Sequence, residues 1–295
     1  MKNKSSQKSI FKPWTWLRKG AAVVPVLRFS GAIGMSTPLK PGLSMVGVAE
    51  ILERAFTIGN AKAVAILINS PGGSPVQSTL IYKRIRSLAE EYELPVYVFA
   101  EDVAASGGYL IALAGDEIYA DSSSIIGSIG VVSAGFGFHK LIENYGIERR
   151  VHTSGENKMS LDPFQPEKSE DIDRLKEIQN DVHQTFIRLV KERRADKISE
   201  DNTDIFSGAF WSGDKAKEVG LIDGITDVRS KMRELFGDDV KLKLISANKG
   251  LFSKMGLTPG TDSSMPDLSL LSRGGFSYDM ISALEERQIW SRYGF

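Results

Sequence analysis

The sequence predicts an α/β protein with a largely parallel sheet, and three observations carry that prediction. Val/Ile-rich runs alternate with segments of helical period from residue 21 to residue 195. Lys62 to Asn69 reads KAVAILIN, a continuous apolar run suited to a strand buried on both faces. Residues 167–195 place Ile172, Leu175, Ile178, Val182, Phe186 and Leu189 at spacings of three and four, the period of a long amphipathic helix.

The elements follow in order. Residues 21–30 are Val-rich and stop at Ser30-Gly31, which predicts the first strand. A loop containing Pro38, Pro41 and Gly42 leads into a helix over 44–58. KAVAILIN runs into Ser70-Pro71-Gly72-Gly73, a turn, with a helix over 76–93 behind it. Residues 95–100 form a short strand and 105–114 a short apolar helix. Strands over 117–120 and 129–134 flank the Gly/Ser-rich stretch from Ser122, and a helix–strand pair covers 138–153, its strand at 147–153. Pro166 suits the start of the long helix. Beyond residue 237 the pattern weakens, and Gly, Ser and Pro gather over 250–275 as in a flexible linker. Helical period returns over Tyr278 to Tyr293. The division is therefore an N-terminal arm over 1–20, a body over 21–237, and a partly flexible C-terminal extension over 238–295. That extension either docks on a neighbour through Trp290 and Tyr293 or is itself trimmed.

Composition narrows the chemistry. The 295 residues include no cysteine, which removes Cys nucleophiles, Cys-ligated metal sites and disulfides. Three histidines, His139, His152 and His183, make a His-rich metal centre a poor fit, so the expectation is no metal and no cofactor. Basic and acidic residues balance at 37 each, which argues against a nucleic-acid-coating protein. The balance hides an asymmetry: residues 1–49 carry eight basic side chains and no acid, and the first carboxylate is Glu50. No window reaches the roughly 20 apolar residues of a membrane-spanning helix, and the apolar run 20–27 is too short and too Pro-interrupted for a convincing signal peptide. The expected setting is cytoplasmic. The arm, with Phe11, Trp14 and Trp16 among lysines, suits either peripheral contact with a membrane or sister subunit, or a solvated tail.

Without cysteine, serine is the first nucleophile to consider, and it needs a base. Ala104-Ala105-Ser106-Gly107-Gly108-Tyr109 sets a serine at a strand-to-helix junction, where the following N–H groups face whatever it attacks. Alone, such a serine reads as an N-cap. The second glycine loop, 70–73, also follows a buried strand, and two such loops form one site at the carboxyl edge of a sheet. None of the histidines sits in a triad-like motif. Lys158, in Thr153-Ser154-Gly155-Glu156-Asn157-Lys158, is the other base available, and it must be desolvated to act as a neutral amine.

These residues carry a resemblance. AASGGY at 104–109, NSPGG at 69–73 and TSGENKMSLDPFQPE at 153–167 are similar to motifs of the signal peptide peptidase A family of Ser–Lys serine peptidases. Residues 125–131 and 206–223 resemble it as well, so the likeness runs from about residue 21 to 230. The 52-position separation of Ser106 and Lys158 is similar to that of the family's short, single-domain members. The resemblance implies Ser106 as nucleophile, Lys158 as general base and Ser128 as the residue orienting the lysine. It implies an oxyanion hole from the amides of Gly107 and Gly73 (or Gly72), and a substrate groove along Ser70, Pro71 and Gly72. The implied fold is the Clp-protease/crotonase-like layered β/β/α spiral with a long C-terminal helix. The implied substrates are short, unstructured, apolar peptides such as signal-peptide remnants, and the implied assembly is a homo-oligomeric ring. Many members carry a membrane anchor that this sequence does not show. Two other readings remain: a crotonase-like acyl-CoA enzyme using the same backbone oxyanion hole, and a catalytically degenerate peptide-binding scaffold.

Overall fold

A computed structural model describes residues 21–35, 42–155, 157–198, 203–246 and 287–294. The N-terminal arm, the 250–275 linker and the start of the last predicted helix lie outside the described residues. Strand β1 (Val23–Ser30) is followed by α1 (Met45–Phe56), β2 (Val64–Ser70), α2 (Pro75–Glu91), β3 (Val96–Ala105) and α3 (Gly107–Ala112). Next come β4 (Glu117–Ala120), β5 (Ile125–Gly127), α4 (His139–Asn144) and α5 (Ser169–Arg194). The chain continues through β6 (Phe210–Ser212), α6 (Gly213–Glu218), β7 (Gly224–Ile225), α7 (Val228–Phe236) and β8 (Lys241–Leu244).

The sheet runs β6-β5-β3-β2-β1-β8, with β4 on β3 and β7 on β4. Its pairings are parallel except β5 with β6. Strand β3 is the branch point of the spiral. Tyr97–Phe99 pair with β4, whereas Val103–Ala105 pair with β5. Between these halves the register with β2 shifts, from Ile68 opposite Ala100 to Ser70 opposite Ala104. Asn69 fills the irregularity: its Nδ2 donates to Asp102 Oδ2 at 2.6 Å, and its Oδ1 accepts the Val103 N–H at 3.2 Å. A bulge of this kind bends the strand and re-aims its end, and the end of β3 is Ala105, the residue before Ser106.

Both faces of the sheet are covered, which is why KAVAILIN is apolar throughout. One face holds the main core, where α1 (Val48, Leu52), α2 (Ile81, Ile85), α3 and the end of α5 (Phe186, Val190) pack on Leu27, Ile66, Val98 and Ala104. The other face packs Val24, Ala65, Phe99 and Tyr119 against Met232 of α7. Tyr109 fixes α3: it is fully buried, and its hydroxyl donates to the Leu221 carbonyl at 2.7 Å. Burial pushes its phenol pKa well up, so it stays a donor.

Several expectations are corrected. The strand predicted over 129–134 lies earlier, at Ile125–Gly127, because the residues that pair with β3 are those before Ser128. The strand predicted over 147–153 is absent; that stretch is irregular and mostly exposed, with no neighbouring strand to pair it. Strand β3 extends five residues past Ala100, through Glu101 and Asp102, because Asn69 and Arg28 satisfy their polar side chains. The helix predicted over 105–114 is consequently shorter. Strand β8, which pairs with β1 in parallel, lies within the stretch beyond 237.

Candidate active site

The site forms where β2, β3 and β5 end together. Ser106 has φ 51° and ψ −121°, a conformation unfavourable for any residue with a Cβ and worth about 1–3 kcal/mol of strain. Three contacts hold it. Its N–H donates to Gly127 O at 2.8 Å, its carbonyl accepts the Leu110 N–H at 2.9 Å, and Gly72 lies against its Cβ. A Cβ built on Gly72 would stand 2.8 Å from Ser106 Cβ and 2.9 Å from Gly107 N, so only a glycine lets the two loops meet.

Two backbone amides face the same space. Gly107 is the first residue of α3, so its N–H has no acceptor within the helix. Gly73 sits in a parallel bridge with Ile33, in which the Ile33 N–H donates to Gly72 O and the Ser74 N–H donates to Ile33 O, both at 2.8 Å. Those bonds engage the residues on either side and turn the Gly73 N–H the other way. A Cβ on Gly107 would lie 3.4 Å from Gly73 N, which brings the two donors to one place. Among the described residues neither amide has an acceptor within the chain. The Gly72 N–H, by contrast, is taken by Ser70 Oγ at 3.2 Å. Ser70 Oγ itself donates to Gly31 O at 2.8 Å, so Ser70 is a fully buried brace for the loop and Gly73 is its free donor. Pro71, the third groove residue expected from sequence, is buried beneath the loop.

Ser128 is buried, has φ 53°, and continues the β3–β5 register one step beyond Ala105 opposite Gly127, which sets it beside Ser106. Its N–H donates to the Ala209 carbonyl at 2.7 Å, and among the described residues its hydroxyl has no hydrogen-bond partner. Lys158 is placed differently. It lies in the exposed turn 157–161, and no hydrogen bond joins it to Ser106 within the chain. The burial that sequence reasoning required of Lys158 is thus not supplied by its own chain. The whole excursion 132–161 is open, with Val132, Phe136, Leu141, Tyr145 and Ile147 each more than half exposed. The histidines stand apart: His183 Nε2 is bonded to the Ile129 carbonyl at 3.0 Å, His152 is exposed, and His139 starts α4.

Sequence reasoning missed Ile33, whose bridge orients Gly73, and Phe210, which sits opposite Gly127. No local motif marks Ile33, and the stretch 206–223 that contains Phe210 gives no sign of its partner, because both reach the site through pairings with distant strands.

A strained serine at a strand-to-helix turn, facing two free amides on a mostly parallel sheet, is the arrangement of a serine acyl hydrolase. Residues 89–241 match the profile of Peptidase family S49, and the chain belongs to that family. It is 56% identical over 272 residues to a Brucella abortus protein named "Na(+)/H(+) antiporter NhaA", covering 92% of this chain and 37% of that one. It is 31% identical to "Serine protease SPPA, chloroplastic" of Arabidopsis thaliana, over 72% of this chain and 32% of that one. It is 33% identical to "Protease 4" of Haemophilus influenzae, over 60% of this chain and 28% of that one. The chain thus spans about a third of the length of each of these relatives. Among solved structures, a membrane-bound stomatin-specific protease aligns with a TM-score of 0.45 at 17% identity, over 77% of this chain and 99% of that one. Among the described residues no helix is long and apolar enough to cross a membrane.

Proposed function

We propose that the chain is a serine endopeptidase that cleaves short, unstructured, apolar peptides by acyl transfer, with Ser106 as nucleophile and Lys158 as general base. The observation that carries the reading is the strained Ser106 held beside the free Gly73 and Gly107 amides. Neutral Lys158 takes the Ser106 proton as Oγ attacks the peptide carbonyl. The two amides hold the oxyanion, and Lys158 returns the proton to the departing amine. Water then attacks the acyl-serine with the lysine again as base, releasing the acid and restoring Ser106. Ser128, buried without a partner, supplies a hydroxyl to orient the lysine. Family S49 membership supports the peptidase over an acyl-CoA reading, which would need no serine.

The lysine must be dehydrated for this chemistry, and in one chain it is exposed. The apolar residues around it are exposed too, as is Ile178 on α5, so a second copy packed here would bury them and Lys158 together. The working unit is therefore a homo-oligomer, with the peptidase body of residues 21–237 closed at one edge by β8. Cleavage mapping on an apolar peptide tests the reading. Wild type cuts, and Ser106→Ala and Lys158→Ala lose about 10³-fold or more in kcat. Activity rises toward alkaline pH. Activity on an acyl-CoA retained by Ser106→Ala overturns the assignment.

A further inference from the structure

Helix α5 carries a polar ring where its packing face calls for an apolar side chain. Its buried residues are Phe186, Val190 and Arg194, all in its second half. His183 is half-buried and stands one and two turns ahead of Phe186 and Val190, on the same face. Its Nε2 lies 3.0 Å from the Ile129 carbonyl. A carbonyl only accepts, so the neutral ring carries its proton on Nε2. Ile129 is fully buried, and among the described residues no backbone N–H takes its carbonyl. The imidazole is therefore the donor that a buried carbonyl requires. Three consecutive residues of this turn are thus tied to three different elements. Gly127 O accepts the Ser106 N–H at 2.8 Å, the Ser128 N–H donates to Ala209 O at 2.7 Å, and Ile129 O accepts from His183. The first two bonds hold one peptide unit from both sides, and the third holds the next carbonyl but one. Ser128 lies between these fixed points at φ 53°, a conformation that persists only where its surroundings over-determine it.

We propose that His183 is a positioning residue: by holding the Ile129 carbonyl it keeps Ser128 in place beside Ser106. The inference rests on the peptidase reading and adds a residue that acts through Ser128 without touching substrate. Without the imidazole the Gly127–Ser128 peptide unit stays held, but the hydrogen bond on the far side of Ser128 is lost. The left-handed φ of Ser128 then relaxes, and its hydroxyl leaves the place from which it orients the base.

Two variants of the full chain test this. His183→Gln keeps an N–H donor near the Nε2 position, and His183→Leu fills the space without one. On an apolar peptide, His183→Leu is expected to lower kcat about tenfold with KM kept, the scale expected for loss of the Ser128 hydroxyl, and His183→Gln to recover most of it. Ser128→Ala/His183→Leu should lose no more than Ser128→Ala alone, because both changes act through Ser128. A double variant down about a hundredfold, the product of two independent losses, overturns the proposal. So does a His183→Gln enzyme no better than His183→Leu. Amide hydrogen exchange over residues 125–130, read by mass spectrometry, reports the turn without any cleavage. It is expected to quicken in His183→Leu and to return to the wild-type rate in His183→Gln, with β2 unchanged in both. Exchange over 125–130 that stays at the wild-type rate in His183→Leu overturns the proposal whether or not the enzyme cuts. Quickening that extends to β2 also overturns it, since the ring would then be packing alone. Peptide cleavage retained by Ser106→Ala overturns the peptidase reading instead, and the exchange rates then still decide whether His183 holds Ser128.

Discussion

The Ser106 amide donates to the Gly127 carbonyl at 2.8 Å, and this bond sets Ser128 beside Ser106. It extends the parallel β3–β5 ladder one residue past both strands, into a region where both serines have positive φ. The two serines thus sit at adjacent strand ends, one half-exposed and one buried.

Removing the buried hydroxyl should affect rate more than fold. Ser128→Ala is expected to lower kcat about 10-fold or more while the melting temperature moves little, since the hydroxyl has no partner to lose. A hydroxyl donated to a neutral amine favours that form, so its loss should shift the rising limb of the pH–rate profile to higher pH. A profile unchanged in position would mean Ser128 does not touch the base.

The close approach of the two loops predicts a severe effect at Gly72. Gly72→Ala forces a methyl to 2.8 Å from Ser106 Cβ at a backbone φ of 105°. The loops must separate, taking the Gly73 and Gly107 amides out of register with the oxyanion. We expect kcat to fall about 10²–10³-fold. Measured beside it, a substitution at the open Gly59 should be nearly silent, since nothing lies within 4 Å of a Cβ there.

If assembly dehydrates Lys158, charging the exposed apolar excursion should abolish both. Phe136 and Tyr145 are 72% and 76% exposed in the single chain. Phe136→Asp and Tyr145→Asp are expected to leave the unfolding free energy of the isolated subunit within about 1 kcal/mol of wild type. Sedimentation should show smaller species, and peptide cleavage should fall in step.

Acid stability should follow Asp223. Burial works against its carboxylate, but hydrogen bonds from Arg194, Lys197 and the Ile118 N–H outweigh it and hold the pKa below the ordinary value. A depressed folded pKa stabilises the protein above the ordinary carboxylate range of about 4, and the benefit is lost as pH falls through the folded value. Arg194 is 3% exposed, with its guanidinium also on the Gly220 carbonyl, so its charge has nowhere to go once Asp223 is neutral. Asp223→Asn is expected to cost about 3–5 kcal/mol at pH 7 and to flatten the fall in melting temperature below pH 4. An acid slope as steep as that of wild type would place the titrating group elsewhere.

Much of the fold was legible because its signals are local. KAVAILIN, the glycine loops at 72–73 and 107–108, and the period of residues 169–194 each declare an element within a few residues. Strand 129–134 was misplaced because Val131-Val132 is as apolar as Ile125-Ile126, and pairing with β3 decides between them. At the site, sequence supplied Ser106 and its glycines but left Gly72 and Gly73 open as oxyanion donors. The hydrogen bond from the Gly72 N–H to Ser70 Oγ, and the turn of the Gly73 N–H away from Ile33, separated the two.

The sequence by itself determined the residue types available for chemistry: no cysteine, three histidines outside any motif, and a serine between small residues. It also determined an α/β core, because strand and helix periods are written into neighbouring side chains. The tertiary structure decided which donors are free, which serine lies beside which, and that Tyr293 folds back on the end of β3. Those facts depend on contacts between residues tens to hundreds of positions apart, where strand register rather than local pattern sets what each side chain meets. Register is also why Lys158 remains open in the single chain: the excursion that carries it makes no strand pairing with the sheet.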